Sequence, residues 1–288
     1  MKILLTGASG FLGSKLLTLL LENGYDVVAV IHKRELQVSH PRLSIIRGDL
    51  TEVNLPPADL AIHAAAMTDV DRCEVDREAC WKLNAVATRR IATHYPTLYI
   101  STDYVFPGDK GLYRETDIPN PVNFYGLTKL LGEEAVLSNN GWVVRTSGVY
   151  GVHGGKVSFP ETIVYKLSRG EVVNALIDQW YSPTYSGLLA SAIVELLELN
   201  DRPPILHIAG PRLSRYEFAL AIADAFNLPK ELIKPITSEN INWIAKRPKD
   251  SSLDSSLARS IIKAPFHDLS KSLEMFKKEW ESLKHALS

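Results

Sequence analysis

Tyr125-Gly126-Leu127-Thr128-Lys129 sets a phenol and an amine four residues apart. On a helix those side chains project from one face. A phenol with a pKa of about 10 is a poor proton shuttle at neutral pH, but a neighbouring ammonium stabilises the phenolate and lowers that value. Such a pair could hand a proton to an alkoxide forming on a carbonyl that accepts hydride. Alone, the Y-x-x-x-K pattern arises often by chance. It gains meaning from Ser101-Thr102-Asp103-Tyr104-Val105-Phe106, which lies upstream and directly after the apolar run Leu98–Ile100. A hydroxyl at that strand end, facing a helix that carries phenol and amine, completes a proton-transfer group of Thr102, Tyr125 and Lys129.

A second cluster opens the chain. Gly7-Ala8-Ser9-Gly10-Phe11-Leu12-Gly13 follows the strand-like Ile3–Leu5 and begins a helical stripe, the context that gives glycine spacing meaning. Gly7 suits a tight turn, Gly10 lets backbone approach a pyrophosphate, and Gly13 lets helix and strand pack closely. Backbone N–H groups where Phe11 and Leu12 start the helix would face the phosphates. A site selective for NAD carries Asp or Glu about 20 residues after the glycines. Here that place reads Ile31-His32-Lys33-Arg34. Cations there suit a 2′-phosphate, and Ser9 could add a hydroxyl contact. NADP(H) is therefore expected over NAD(H), which is kept as the alternative cofactor; solvated loop charges are the bland reading of Lys33 and Arg34. Asp49-Leu50 and then Ala64-Ala65-Ala66 follow the next two strands, the alanines offering small side chains beside a cofactor.

These residues need a scaffold. Val27–Ile31, Leu43–Ile46, Leu60–His63 and Val143–Val144 are further strand candidates, and Leu12–Leu21, Cys73–His94 and Asn123–Leu137 read as helices. Alternating near-continuous apolar strands with helices predicts an α/β fold, a Rossmann-like doubly wound parallel sheet. After Gly151 the rhythm changes. A glycine-rich loop (Val152–Lys156) precedes helix Phe159–Arg169, strand Val172–Ile177, helix Leu188–Leu199 and strand Ile205–Ala209. Ser214, with Glu217 three residues on, opens a helix to Phe226 as in a capping box. The expected organisation is a cofactor domain over 1–151, with 186–209 returning to it. A smaller discontinuous α/β substrate-binding lobe covers 152–185 and 210–288. Leu269, Leu273, Phe276, Trp280, Leu283 and Leu287 stripe a last helix, expected to dock on its own domain.

The length of 288 residues suits two modest domains at about 150 residues each. A hydrophobic fraction of 45% with a net charge of -1 excludes a disordered chain and offers no basic surface for nucleic acid. No apolar run approaches the roughly 18 residues of a membrane span, and with a glycine turn so early no secretory signal is expected. Cys73 and Cys80 lack metal-site spacing, so no metal is expected. A cytoplasmic protein is the expectation, with a homodimer left open.

On these motifs the chain resembles the dTDP-4-dehydrorhamnose reductase family, in the extended branch of the short-chain dehydrogenase/reductases. The resemblance is carried by Thr6 to Gly13 with its G-x-x-G-x-x-G spacing, Ala64–Ala66 with Thr68 and Val70-Asp71, and Asn84. It continues through Ser101–Phe106, Tyr113–Asp117, Tyr125–Lys129 with Gly132-Glu133, and Arg145-Thr146-Ser147. Asp178-Gln179 with Pro183-Thr184, then Arg247-Pro248 with Leu253-Asp254, complete it. It implies reduction by NADPH of the 4-keto group of a nucleotide-linked deoxysugar, dTDP-4-dehydro-L-rhamnose above others. Tyr125 would protonate the oxygen, Lys129 would lower the phenol's pKa and bond the nicotinamide ribose, and Thr102 would relay a hydrogen bond. Asp49 would meet the adenine amino group, and Asn84, grouped with the cofactor-binding residues, would orient the catalytic region; a buried structural amide is its other reading. Thr68, Val70, Asp103 and Tyr104 would line the substrate side. Arg247 would meet the substrate pyrophosphate with paired hydrogen bonds; a domain-clamping arginine is the other reading.

Three departures bear on the sugar pocket. Gly148 stands where the family often has Trp, Trp180 and Tyr181 replace a small residue, and Ser158-Phe159 replaces Asn-Phe. Compensation for the lost aromatic by Trp180 or Tyr181 is one expectation. Two other functions stay open: a reductase of a different nucleotide 4-keto sugar, and an NADP-binding regulatory subunit resembling the methionine adenosyltransferase β subunit.

Overall fold

The apolar runs become strands because helices cover both of their faces. In a computed structural model that describes residues 1–152 and 157–287, they are β1 (Lys2–Thr6), β2 (Asp26–Ile31), β3 (Leu43–Arg47), β4 (Leu60–His63), β5 (Thr97–Thr102) and β6 (Trp142–Thr146). With Ile205–His207 they form one parallel sheet of seven strands, ordered Ile205–His207, β6, β5, β4, β1, β2, β3. The weak apolar signal of β3 has a plain cause: it is the edge strand, and Ile45 is 44% exposed.

Alternate residues of β1 feed opposite layers. Ile3 and Leu5 join Leu16 of helix α1 (Phe11–Glu22) and Ile193 of helix Ser186–Glu198 in the main core. Leu4 instead packs with Ala87 and Ile91 of helix Ala87–His94. The chain winds outward from β1 to β3, then crosses back to β4. That reversal opens a crevice at the carboxyl ends of β1 and β4, the place where such sheets bind ligands.

The helix expected over Cys73–His94 is divided. Asp76 leaves helical geometry at φ -116 and ψ 69, and its side chain accepts a hydrogen bond from the Ala79 N–H. The chain therefore runs as Val70–Val75, Arg77–Trp81, a π-helical turn at Lys82–Val86, and Ala87–His94. An aspartate beside a short polar run competes with the backbone for its own hydrogen bonds, and apolar periodicity does not register that.

The second layer is built from short pairs: Val149–Tyr150 with Thr184–Tyr185, Trp180–Tyr181 with Leu213–Ser214, and Val173–Leu176 with Ile233–Ile236. Helix Arg215–Phe226 opens on the expected capping box, Ser214 Oγ accepting from the Glu217 N–H at 3.0 Å and Glu217 Oε2 from the Ser214 N–H at 2.7 Å. Helix Phe159–Leu167 begins on a second such box, Ser158 with Glu161. The last helix, Leu269–Leu287, buries Leu273, Phe276 and Trp280 in the main core. Its Glu279 bonds Lys15 of α1 and the Tyr185 hydroxyl, so this helix packs on its own chain and reaches α1 as well as the segment expected to share its domain. Positions 153–156 of the expected glycine-rich loop, and the Leu287 side chain, lie outside the described residues. Among the described residues no helix is long and apolar enough to cross a membrane.

Candidate active site

A cleft of about 560 Å³ lies over the carboxyl ends of the strands. Phe11, Leu12, Ala64 and Ala66 line one part of it, and Thr68, Val70, Thr102, Asp103, Tyr104, Tyr125, Lys129 and Arg247 line the rest. Most of the side chains expected at the site thus meet in one place.

The glycine turn brings α1 close against the end of β1. A Cβ on Gly13 would lie 2.0 Å from the Gly7 carbonyl oxygen, so only glycine lets α1 start against the end of β1. Gly10 caps α1 with extended backbone and no side-chain hydrogen bond, and the first turn holds no acid. The positive end of the helix is left for an anion. Arg34 reaches over this turn, its Nη1 3.5 Å from the Ser9 carbonyl. Lys33 and His32 are exposed on the same loop, whose His32 carbonyl accepts from Arg47 at 3.0 Å. Asp49 is exposed and holds a turn, its Oδ1 accepting from Thr51 N–H at 2.8 Å and Oγ1 at 2.6 Å. Those bonds keep its carboxyl below the usual range. Leu50 is buried in the small core with Ala87 and Ile91, and the Ala65 N–H donates to Thr6 Oγ1 at 3.2 Å.

The helix Phe124–Leu137 carries Tyr125 and Lys129. Asn123 caps it by accepting from the Gly126 N–H at 2.8 Å, and its own amide donates to the Lys246 carbonyl at 2.9 Å. One residue therefore ties the helix start to the segment bearing Arg247. Lys129 is buried; its Nζ donates to the Ile100 carbonyl at 2.7 Å and lies 4.0 Å from the Tyr99 ring centre. Burial takes the amine down to about 7, against the opposing pull of Glu133. Burial also pushes the Tyr125 phenol up, opposed by its hydrogen bond with Thr102. The phenol is thus raised, not lowered as the Tyr125–Lys129 spacing predicted, while Lys129 titrates near neutrality. Cys73 and Cys80 pack behind Tyr125 in one apolar cluster.

Asp103 ties the end of β5 to two distant segments of the chain. Its buried carboxylate accepts from Ser251 Oγ at 2.5 Å, Ser147 Oγ at 2.9 Å and Thr102 Oγ1 at 3.1 Å. Burial outweighs those three donors and raises it to about 6. Tyr104 turns its ring edge to Tyr125 at 5.9 Å. Arg247 bonds Asp71 at 3.0 Å and lies over Trp243. Asn84, placed by the sequence in the cofactor region, stands behind the cleft wall in the π-helical turn. Its Oδ1 accepts from the Met67 N–H at 2.8 Å, and its Nδ2 donates to the Met67 carbonyl at 3.1 Å and to Thr128 Oγ1 at 3.2 Å. It links the loop after β4 to the helix Phe124–Leu137; such π turns recur at functional sites.

Several lining residues were not among those singled out: Ser251, Arg215 and Phe218, with Ser158 and Phe159 noted only as a departure and Gln179 only as part of the resemblance. They come from distant segments and carry no local motif, so spacing could not gather them. Gly148 has φ +50, and a Cβ there would lie 2.4 Å from Tyr181 Cε2. The Tyr181 ring fills the space a side chain at 148 would take. Trp180 is absent from the cleft lining and lies under the Arg212 guanidinium.

A parallel sheet with a glycine turn after its first strand, and a threonine, tyrosine and lysine at its carboxyl ends, define an extended short-chain dehydrogenase/reductase. The family model described as the RmlD substrate binding domain matches residues 1–281. The chain belongs to that family, the dTDP-4-dehydrorhamnose reductases. It is 33% identical over 274 residues to the dTDP-4-dehydrorhamnose reductase of Aggregatibacter actinomycetemcomitans, covering 88% of this chain and 90% of that one. It is 34% identical to the methionine adenosyltransferase 2 subunit beta of Xenopus tropicalis, over 90% of this chain and 82% of that one. Among solved structures, a hypothetical dTDP-4-dehydrorhamnose reductase from Sulfolobus tokodaii is 44% identical with a TM-score of 0.82, covering 93% and 97% of the two chains. The Bacillus anthracis dTDP-4-dehydrorhamnose reductase, solved in complex with NADP, is 28% identical with a TM-score of 0.82, covering 96% and 99%.

Proposed function

We propose that this protein is an NADPH-dependent reductase of the 4-keto group of a nucleotide-linked deoxysugar, with dTDP-4-dehydro-L-rhamnose as the substrate. The observation that carries this reading is the meeting of Thr102, Tyr125 and Lys129 in one cleft that also takes in the uncapped start of α1. NADPH bound there supplies the hydride. Gly7, Gly10 and Gly13, with the Phe11 and Leu12 backbone, hold its pyrophosphate, and Lys33 and Arg34 meet its 2′-phosphate beside Ser9. NAD(H) is the weaker cofactor on this reading, which the relative solved with NADP supports.

The chain's own groups manage the proton. Tyr125 donates its phenolic proton to the carbonyl oxygen as negative charge forms there. Protonated Lys129 stabilises the phenolate left behind. Thr102 Oγ1, fixed by its bonds to Asp103 and the Tyr104 N–H, orients the phenol and the oxygen. Thr68, Val70, Asp103 and Tyr104 form the sugar wall, and Arg247 meets the substrate phosphates.

Identity to a methionine adenosyltransferase subunit supports a second reading, an NADP-binding regulatory subunit. Purified protein mixed with NADPH and a panel of nucleotide 4-keto sugars separates the two. Loss of reduced-nicotinamide absorbance, abolished by Tyr125→Phe, supports the reductase. Tight NADPH binding with no turnover on any sugar supports the regulatory subunit.

A further inference from the structure

Arg215 is a lining residue of the cleft that no motif announced. It opens the helix Arg215–Phe226 and is partly buried. Its Nε donates to Gln179 Oε1 at 2.5 Å, and its N–H donates to the Gln179 carbonyl at 3.1 Å. The guanidinium carbon lies 4.6 Å from the Tyr181 ring centre and 5.4 Å from that of Phe159. Gln179 and two aromatic faces therefore fix the plane of the group.

Its charge is treated differently from that of other arginines nearby. Arg247 has Asp71, Arg212 has Asp250, and Arg145 has Glu133. Among the described residues no carboxylate makes an ion pair with Arg215. A cation half-withdrawn from water without a counter-charge is costly unless an anion arrives. The position of that anion is narrowed by the cleft itself, which Arg215 and Arg247 line together with Tyr104. Two guanidinium groups lining one cleft suit a ligand with more than one negative charge. Planar guanidinium also matches phosphate oxygens with paired hydrogen bonds.

We propose that Arg215 binds the diphosphate of the nucleotide substrate together with Arg247, and that Phe159 and Tyr181 hold it ready. This rests on the nucleotide-linked substrate proposed above. Gln179 sets the orientation, so Arg215 is a binding residue that needs no closing motion to reach its ligand.

The test is calorimetric titration with dTDP and with UDP, on protein saturated with NADP⁺ so that neither diphosphate enters the cofactor site. Wild type, Arg215→Met and Arg215→Lys are compared. One charge-assisted hydrogen-bond set corresponds to roughly tenfold to a hundredfold in affinity. Arg215→Met is expected to lose that much for whichever diphosphate the wild type prefers. Arg215→Lys, which keeps charge but not the planar fork, is expected to fall between, and NADP⁺ affinity is expected to hold in both. Unchanged diphosphate affinity in Arg215→Met overturns the proposal, as does a wild type that binds neither diphosphate. Turnover of 4-keto sugars is followed alongside: lost affinity without any wild-type turnover leaves the role of Arg215 standing and removes the reductase reading, and the converse removes Arg215 alone.

Discussion

Glu133 lies one turn beyond Lys129, and its carboxylate is 1% exposed against an Arg145 that is 2% exposed. Arg145 Nε donates to Oε1 at 2.9 Å and Nη2 to Oε2 at 2.7 Å, and Ser101 Oγ adds a bond at 2.5 Å. Glu133→Gln preserves volume and one acceptor but leaves a guanidinium buried without its counter-charge. Breaking a buried pair from one side costs about 3–5 kcal/mol, and the retained acceptor argues for the lower end. At about 2–4 °C per kcal/mol in a protein of this size, the melting temperature falls by roughly 6–12 °C. Replacing both partners, as Glu133→Gln with Arg145→Met, is expected to recover part of that loss. Catalysis shifts as well, because Glu133 opposes the burial that lowers Lys129. Without that negative charge Lys129 loses its proton at a lower pH. Reduction rates in the variant are then expected to start falling with rising pH earlier than in the wild type, which declines through about 7. Thermal melts and a pH profile of NADPH oxidation read the two effects separately. A melting temperature within 2 °C of wild type, with an unmoved alkaline limb, would refute the reasoning.

Gly13→Ala forces a Cβ to within 2.0 Å of a backbone oxygen, so α1 must retreat; NADPH affinity, measured by fluorescence titration, is expected to fall at least about tenfold. Lys33→Ala with Arg34→Ala is expected to weaken NADPH roughly tenfold or more while leaving NADH nearly unchanged, and equal losses for both cofactors would count against a 2′-phosphate site. His63, bonded to Thr6 and Thr88, and His207 are buried and held down to about 3 from 6.5. Between those values the unfolded chain binds protons that the native one refuses, so stability rises with pH. The stability present above pH 6.5 is lost on acidification toward pH 3, by up to ~1.4 kcal/mol per pH unit for each histidine. Urea midpoints that do not fall between pH 6.5 and 5 would contradict that.

What could be read from sequence was whatever local chemistry decides. Val27–Ile31 is apolar throughout because β2 is covered on both faces, and the glycine spacing follows from the contact of α1 with the end of β1. Ser214 with Glu217 marked a helix start that the backbone adopts. What was hidden depends on contacts between distant segments. Arg215 looks like a surface cation until Gln179, Phe159 and Tyr181 are folded around it. Asn84 was legible as a buried amide but not as the link between Met67 and Thr128. The break at Asp76 was missed because hydrophobic periodicity persists across a short aspartate-capped kink.

The central claim is that Tyr125 donates a proton while NADPH reduces a nucleotide-linked 4-keto sugar. Single-turnover oxidation of NADPH with dTDP-4-dehydro-L-rhamnose, comparing wild type with Tyr125→Phe, tests it most directly. The expected result is turnover by the wild type and a loss of at least about a hundredfold in the variant, with NADPH affinity unchanged. Equal rates in the two proteins, or tight NADPH binding with no oxidation on this or any other nucleotide 4-keto sugar, would contradict it.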